Sequence, residues 1–292
     1  MGTVARYLYI LSLERSGSTP LAWNLGTQPG VIALGEVERT LALLARPTEM
    51  PRPCTCGADA QDCPVWAPVA ARRGELAGLS LIERYRLLDT VMDGHLGDSL
   101  LVDASKSLDI LQALQAVAAH RVAAVHLVKD VRSYLDSTLG RMATMDGERL
   151  WAEQIAARPL RGRLRRAMPQ SLIYLARWAR RNREMEQALH AGAMPWARIG
   201  YDALCDEGEA ALARLAALGG AGGGMSGQHI LFGSFAYLDS DRPKALQRDM
   251  RWRDSPRRRL LDLAHLPVAG LNARLAREAG HDVSPGARSI TT

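Results

Sequence analysis

Residues 7–19 read YLYILSL-ERSGST, from Tyr7 to Thr19, and this stretch decides the fold. The run at 7–13 is short, apolar and rich in β-formers, so it is expected to be a buried strand. It passes into Glu14, Arg15, Ser16, Gly17, Ser18 and Thr19, and residues 21–25 then follow a helical pattern. Pro20 fits there because it falls in the first turn, where a missing N–H costs nothing. A strand, a tight turn and a helix N-terminus together aim backbone N–H groups at an anion. The hydroxyls of Ser16, Ser18 and Thr19 add donors, and Arg15 adds charge. The same residues also suit an ordinary N-cap in a Ser/Thr-rich turn. A nucleotide-triphosphate P-loop is absent, because no Gly-x4-Gly-Lys-Ser/Thr occurs here.

Working outward, residues 31–34 form a second candidate strand, followed by Gly35, Glu36 and a helix at 37–45. Residues 46–66 hold Pro, Cys and Gly and read as an irregular loop; 81–92 is an amphipathic helix. Residues 99–104 (SLLVDA) are a buried strand ending at Ser105, Lys106 and Ser107, and 108–119 is helical. Residues 123–128 (AAVHLV) are another strand, ending at Lys129 and Asp130, with a helix from about Ser133. A long helix at 172–189 carries arginines on one face. A strand at 196–199 ends at Gly200, Tyr201 and Asp202, before a helix at 207–218. The run GGAGGG at 219–224 reads as a hinge or loose linker. A loop-rich basic stretch and a helix from 257 to about 278 complete the chain. Strands alternating with helices predict one α/β domain with a central parallel sheet flanked by helices. Such sheets bind ligands at the carboxyl ends of their strands. The Arg15–Thr19 turn, Lys106 and Lys129 all fall at strand ends, so they are expected to converge on an anion.

The chain has 292 residues, of which 47% are hydrophobic and 23% charged, values that exclude collagen-like, low-complexity or wholly disordered classes. No apolar run reaches the roughly 18 residues that a membrane-spanning helix needs. Residues 1–6 are too short for a signal peptide, and Arg6 stands where a myristoylation signal wants Ser or Thr. A cytoplasmic location is expected. The net charge of +6 suits an acidic ligand, and equally a solvated basic surface. Among 37 basic residues only Lys106, Lys129 and Lys244 are lysine.

Three of the four cysteines cluster as Cys54-Thr-Cys56-Gly, then Cys63 before Pro64 and Trp66; the fourth is Cys205. Three thiols lack the fourth ligand of a structural zinc site, and Cys-x-Cys is tighter than the usual Cys-x2–4-Cys pair. The preferred reading is a structured loop with free or reversibly oxidised thiols, a disulfide staying open if the compartment allows one. No metal is expected.

Lys129 and Ser137 form a second motif: a cation at a strand end and a hydroxyl two helical turns later could grip one phosphate. A charged strand end with a solvent-facing Ser is the plainer reading. Taken together, the two motifs resemble those of the sulfotransferase family, whose donor is 3′-phosphoadenosine 5′-phosphosulfate (PAPS). Arg15 through Thr19 is similar to the family's 5′-phosphosulfate loop. Lys129 through Ser137 is similar to its 3′-phosphate motif, with Lys in place of Arg and Val131 in place of a frequent Pro. Residues 100–106 (LLVDASK) resemble the strand that ends in an active-site Lys. Gly200-Tyr201-Asp202 and Gly233-Ser234-Phe235 resemble the segments whose aromatic rings meet adenine. Gly35-Glu36 is similar to the Gly-Glu that supplies a base, and the 54–66 loop to one in bacterial members. The likeness spans roughly residues 7–255.

The resemblance implies transfer of a sulfuryl group from PAPS to a hydroxyl or phenol of a small-molecule or natural-product acceptor. Arg15 and Lys106 would then stabilise charge, Glu36 would take the acceptor proton, and the residues from Ser16 to Thr19 would hold the 5′-phosphosulfate. Lys129 and Ser137 would hold the 3′-phosphate, Tyr201 and Phe235 would enclose adenine, and Arg242 and Lys244 would close over the donor. Residues 225–256 would form the donor-covering region, and the basic run at 158–166 an acceptor lid. Glu38 and His229 are rivals for the base. Asp103 is expected to pair with Lys106, and His126 to be a core or sheet-face histidine. A small-molecule kinase shares the strand–loop–helix but would need a Walker lysine and a Mg²⁺ carboxylate. A nucleic-acid-binding module would need aromatics among its arginines, where only Trp178 and Trp252 stand; no nucleic-acid partner is expected.

Overall fold

A computed structural model describes residues 6–46, 53–144, 167–231 and 245–277. Its strands are β1 (Tyr7–Ser12), β2 (Val31–Gly35), β3 (Leu100–Lys106), β4 (Val122–Val128), β5 (Trp196–Gly200) and the two-residue β6 (Gly227–Gln228). They form one sheet in the order β5-β4-β1-β3-β2-β6, every neighbouring pair parallel. The fold class is therefore the expected one: an α/β domain built on a central parallel sheet with helices on both faces.

Burial follows the two-residue period of a strand. Tyr7, Tyr9 and Leu11 of β1 enter one apolar cluster, and Leu8 and Ile10 enter another on the opposite face. A strand covered on both faces must be apolar throughout, which is why YLYILS carries no alternation. The first face is covered by α2 (Val37–Leu44), α5 (Leu81–Leu96), α6 (Leu108–Ala118) and α8 (Gln170–Ala191), with two single turns, α3 (Ala67–Ala70) and α4 (Arg73–Leu76), beside them. The other is covered by α1 (Ser18–Leu25), α9 (Tyr201–Glu207) and α10 (Glu209–Leu218). A third cluster, around Tyr134, Trp178 and Trp252, joins α7 (Val131–Ala143) to α8 and α11 (Arg258–His265). A capping box starts α5, in which Ser80 Oγ accepts from the Glu83 N–H and the Glu83 carboxylate accepts from the Ser80 N–H.

Several elements depart from their sequence reading. The helix read at 207–218 begins at Glu209, as α10: Gly208 has φ 50 and separates it from α9, a helix the sequence reading did not include. The helix predicted from 257 to about 278 is interrupted near Pro267, which lacks an N–H, and continues as short turns. The glycine run at 219–224 is packed, not loose. A Cβ on Gly219 would meet Leu100 Cδ2 at 2.5 Å, and one on Gly224 would meet Ser99 Oγ at 2.4 Å. The Met225 and Gly30 N–H groups donate to Ser99 Oγ and Ser226 Oγ at 2.8 and 2.7 Å. Strand β6, too short and polar to show a pattern, follows this run and pairs with β2 at Ile32 and Ala33. The basic run at 158–166, Phe235, Arg242 and Lys244 lie outside the described residues.

The order of strands fixes where a ligand can sit. From β1 the chain moves to one side to make β2 and β3, then crosses to the other side for β4 and β5. Beside β1 the connecting segments part, leaving a crevice at its carboxyl end.

Candidate functional site

That crevice is a cavity of about 1310 Å³ at the ends of β1, β3, β4 and β5. Arg15, Gly17, Ser18, Thr19, Glu36, Lys106, Lys129, Ser137 and Tyr201 all line it. Ser16 does not; its side chain is buried beneath the turn.

The turn after β1 is shaped by two backbone choices. Arg15 has φ 66 and Gly17 has φ 93. A left-handed conformation costs a non-glycine residue about 1 kcal/mol or more. Gly17 has a second reason to lack a side chain, because a Cβ there would stand 2.3 Å from Tyr201 Cε2. The Tyr201 ring therefore lies flush against the turn. Gly17 is the N-cap of α1 and offers no capping side chain. The N–H groups of Ser18 and Thr19, at the start of α1, have no partner within the helix, and both residues line the cavity. The Arg15 Nε donates to Ser137 Oγ at 3.0 Å, so residues 122 positions apart form one wall. Desolvation, followed by repulsion from Arg141 and Arg251, lowers the Arg15 pKa from its ordinary value.

Lys106 ends β3 with φ 76, the other positive φ outside glycine among the described residues. Its Nζ donates to Glu36 Oε1. Glu36 occupies the N-cap position of α2, yet its side chain makes no capping bond; it pairs instead with Lys106 and, at 3.2 Å, with Arg39. Asp103 does not pair with Lys106. It is fully buried on β3 and accepts from Tyr85 Oη at 2.7 Å and from Ser105 N and Oγ at 2.8 and 2.5 Å. Burial raises its pKa to about 6 despite these donors. Asp103 lies off the cavity lining, which Ser105 and Lys106 reach from the end of β3.

Lys129 is buried at the end of β4. Trp178 Nε1 donates to its carbonyl at 3.0 Å, and its Nζ reaches Asp249 Oδ2 at 2.6 Å. Burial lowers the Lys129 pKa, against the pull of Asp249. Burial works against Asp249 too, but hydrogen bonds from Arg251 and Lys129 hold it well below the usual carboxylate range. The Lys129 Nζ also lies 5.7 Å from the centre of the Tyr201 ring.

Of the rival bases, Glu38 stands on the cavity wall with Glu36, whereas His229 is buried elsewhere, beside Cys63. His126 is a buried sheet histidine whose Nε2 lies 3.1 Å from Asn182 Oδ1; burial lowers its pKa to about 4. Sequence reasoning missed Asp249, Arg251, Arg141, Arg177 and Arg181, all on the lining. Arg141 was legible in principle, one helical turn after Ser137. Arg177 and Arg181 belong to the arginine face of α8. Asp249 and Arg251 sit in a segment with no periodicity, and only the fold brings them back to Lys129.

Along this lining basic side chains outnumber acidic ones. The cavity can thus hold a ligand carrying more than one anionic group, with a carboxylate and a lysine side by side at one end. No protein-family model matches the chain, and no curated protein matches it.

Proposed function

We propose that the protein is a sulfotransferase that moves a sulfuryl group from PAPS to the hydroxyl of a small acceptor. The observation that carries this reading is the convergence of the Arg15–Thr19 turn, Lys106, Lys129, Ser137 and Tyr201 on one cavity. In this proposal the α1 N-terminus and Arg15 bind the 5′-phosphosulfate, Lys129 and Ser137 the 3′-phosphate, and Tyr201 the adenine. The acceptor oxygen attacks sulfur in line, a new O–S bond forms, and the bond from sulfur to the 5′-phosphate oxygen breaks. Adenosine 3′,5′-diphosphate leaves, and Glu36 takes the acceptor proton. Positioning and charge stabilisation do most of such work, as in phosphoryl transfer. The Lys106–Glu36 pair suits this division of roles. When Lys106 turns to the charge growing on the leaving oxygen, the Glu36 oxygen it held is freed to accept from the acceptor hydroxyl.

Asp249 has a place in the same reading. It already satisfies the Lys129 ammonium, so a 3′-phosphate must share or displace that contact. Burying an unpaired lysine is costly, and Asp249 removes that cost.

Adenosine 3′,5′-diphosphate should raise the melting temperature, because a ligand bound only to the folded state stabilises it by mass action. Lys129→Ala should weaken that binding by roughly 1.5–3 kcal/mol, the range for a hydrogen bond to a charged group. Lys129→Arg should retain most of it. If the diphosphate leaves melting unchanged while ATP with Mg²⁺ raises it, the donor is a nucleoside triphosphate and this reading fails.

A further inference from the structure

Cys54, Cys56, Cys63 and His229 lie away from the cavity lining. Their ligand atoms all fall within 4.8 Å of one another. Cys63 Sγ stands 3.6 Å from Cys54 Sγ, 3.7 Å from Cys56 Sγ and 3.4 Å from His229 Nδ1. We propose that these four side chains form a tetrahedral Cys3His zinc site that staples the cysteine loop to the edge strand of the sheet.

The spacing about Cys63 is that of one corner of a metal tetrahedron. Zinc–sulfur bonds of about 2.3 Å and zinc–nitrogen bonds of about 2.0 Å give S–S edges of about 3.8 Å and S–N edges of about 3.5 Å. The three separations from Cys63 match those edges, and its two sulfur–sulfur distances are far longer than an S–S bond of about 2.05 Å. Three soft thiolates and an imidazole in a tetrahedron favour zinc over harder or redox-demanding ions. Four protein ligands, where a catalytic zinc keeps three and an open position, mark a structural site.

A tight backbone turn brackets the first two cysteines. The Gly57 N–H donates to the Cys54 carbonyl at 2.8 Å, and Gly57 has φ 90, a tight turn that folds the Cys-x-Cys sulfurs inward. The histidine is held as firmly: its N–H donates to the Ala33 carbonyl at 2.8 Å, and its carbonyl accepts from Trp66 Nε1 at 2.5 Å. Thr55, between the paired cysteines, bonds the Gln228 carbonyl and the Ile230 N–H through one hydroxyl, at 2.8 and 3.0 Å.

The purpose follows from β6. A two-residue strand cannot hold an edge by pairing alone. His229 follows it directly, and the metal would tie it to a loop 166 residues earlier, whose Cys54, Cys63, Val65 and Trp66 are buried in the main core. The fourth ligand that the cysteine spacing lacks is thus supplied by a residue distant in sequence.

The full-length protein, purified under reducing conditions with zinc supplied, should contain about one zinc per chain by elemental analysis. After chelation, Co²⁺ should restore a tetrahedral d–d spectrum with thiolate-to-metal charge transfer. Cys56→Ser alters the exposed ligand and so risks least in folding. It should weaken zinc binding by more than the roughly 10–100-fold that losing an outer-shell partner costs. His229→Ala should do the same, and Cys205→Ser should keep the metal. Folded wild-type protein with no stoichiometric metal and no Co²⁺ spectrum would overturn the proposal. So would a disulfide among the three cysteines under those conditions, stoichiometric iron or copper in place of zinc, or equal metal loss in Cys205→Ser.

Discussion

Glu36 illustrates how one position can carry two readings until its side chain is placed. An acid at a helix N-cap is favourable through the helix dipole alone, so capping explains Glu36 without any chemistry. Its carboxylate instead spends its bonds on Lys106 and Arg39, at the mouth of a cavity, and caps nothing. The two roles separate in kinetics. Glu36→Gln keeps shape and hydrogen bonding but removes the proposed base, so kcat of the proposed sulfuryl transfer should fall roughly 10²–10⁴-fold. Binding of adenosine 3′,5′-diphosphate should barely change. Near-normal turnover in Glu36→Gln, with loss of turnover in Glu38→Gln, would move the base to the neighbouring carboxylate on the same wall. Gly17 makes a different point at the same scale. The turn needs its positive φ, and Tyr201 needs the space a Cβ would take, so one missing side chain serves both the loop and the ring.

Among the elements, the glycine run at 219–224 shows how composition and packing can diverge. Repeated glycine ordinarily means freedom. Here the run is the crossing by which the chain leaves α10, passes Ser99 and Leu100, and enters β6. Gly224 has φ 88 and no room for a Cβ, whereas a Cβ on Gly223 meets nothing within 4 Å. Gly224→Ala should therefore lower the unfolding free energy by at least about 1 kcal/mol, from backbone strain and overpacking together. Gly223→Ala should be neutral or mildly stabilising, because it restricts only the unfolded chain. Equal, small effects of the two substitutions in thermal or urea unfolding would restore the loose-linker view. The same reasoning explains why α10 starts at Glu209 and not at Glu207: Gly208 leaves helical φ at a single residue and separates it from α9.

For the molecule as a whole, two buried ionisable groups on the sheet oppose each other in pH. Asp103 titrates at about 6 in the fold against an ordinary 3.8. Its stabilising share is therefore complete below about pH 4 and is lost as pH rises through 6. His126 titrates at about 4 against an ordinary 6.5. Its share is complete above about pH 6.5 and is lost as pH falls through 4. Each shift corresponds to roughly 3 kcal/mol, with opposite sign over nearly the same window. Asp103→Asn should leave the histidine unopposed, so the stability of the variant relative to wild type should fall as pH drops from 7 to 4.5. Parallel stability profiles across that range, measured by urea unfolding, would show that Asp103 does not titrate there. The sequence on its own determined the α/β class, because an apolar strand followed by a turn and an amphipathic helix repeats along the chain, and local period reports local burial. It also determined which cations stand at strand ends, and hence the principal side chains of the cavity. It could not pair Asp249 with Lys129, turn Asp103 toward Tyr85, or bring His229 to three cysteines. Those contacts join positions far apart in the chain, and strand order and side-chain direction select them only once the sheet has assembled.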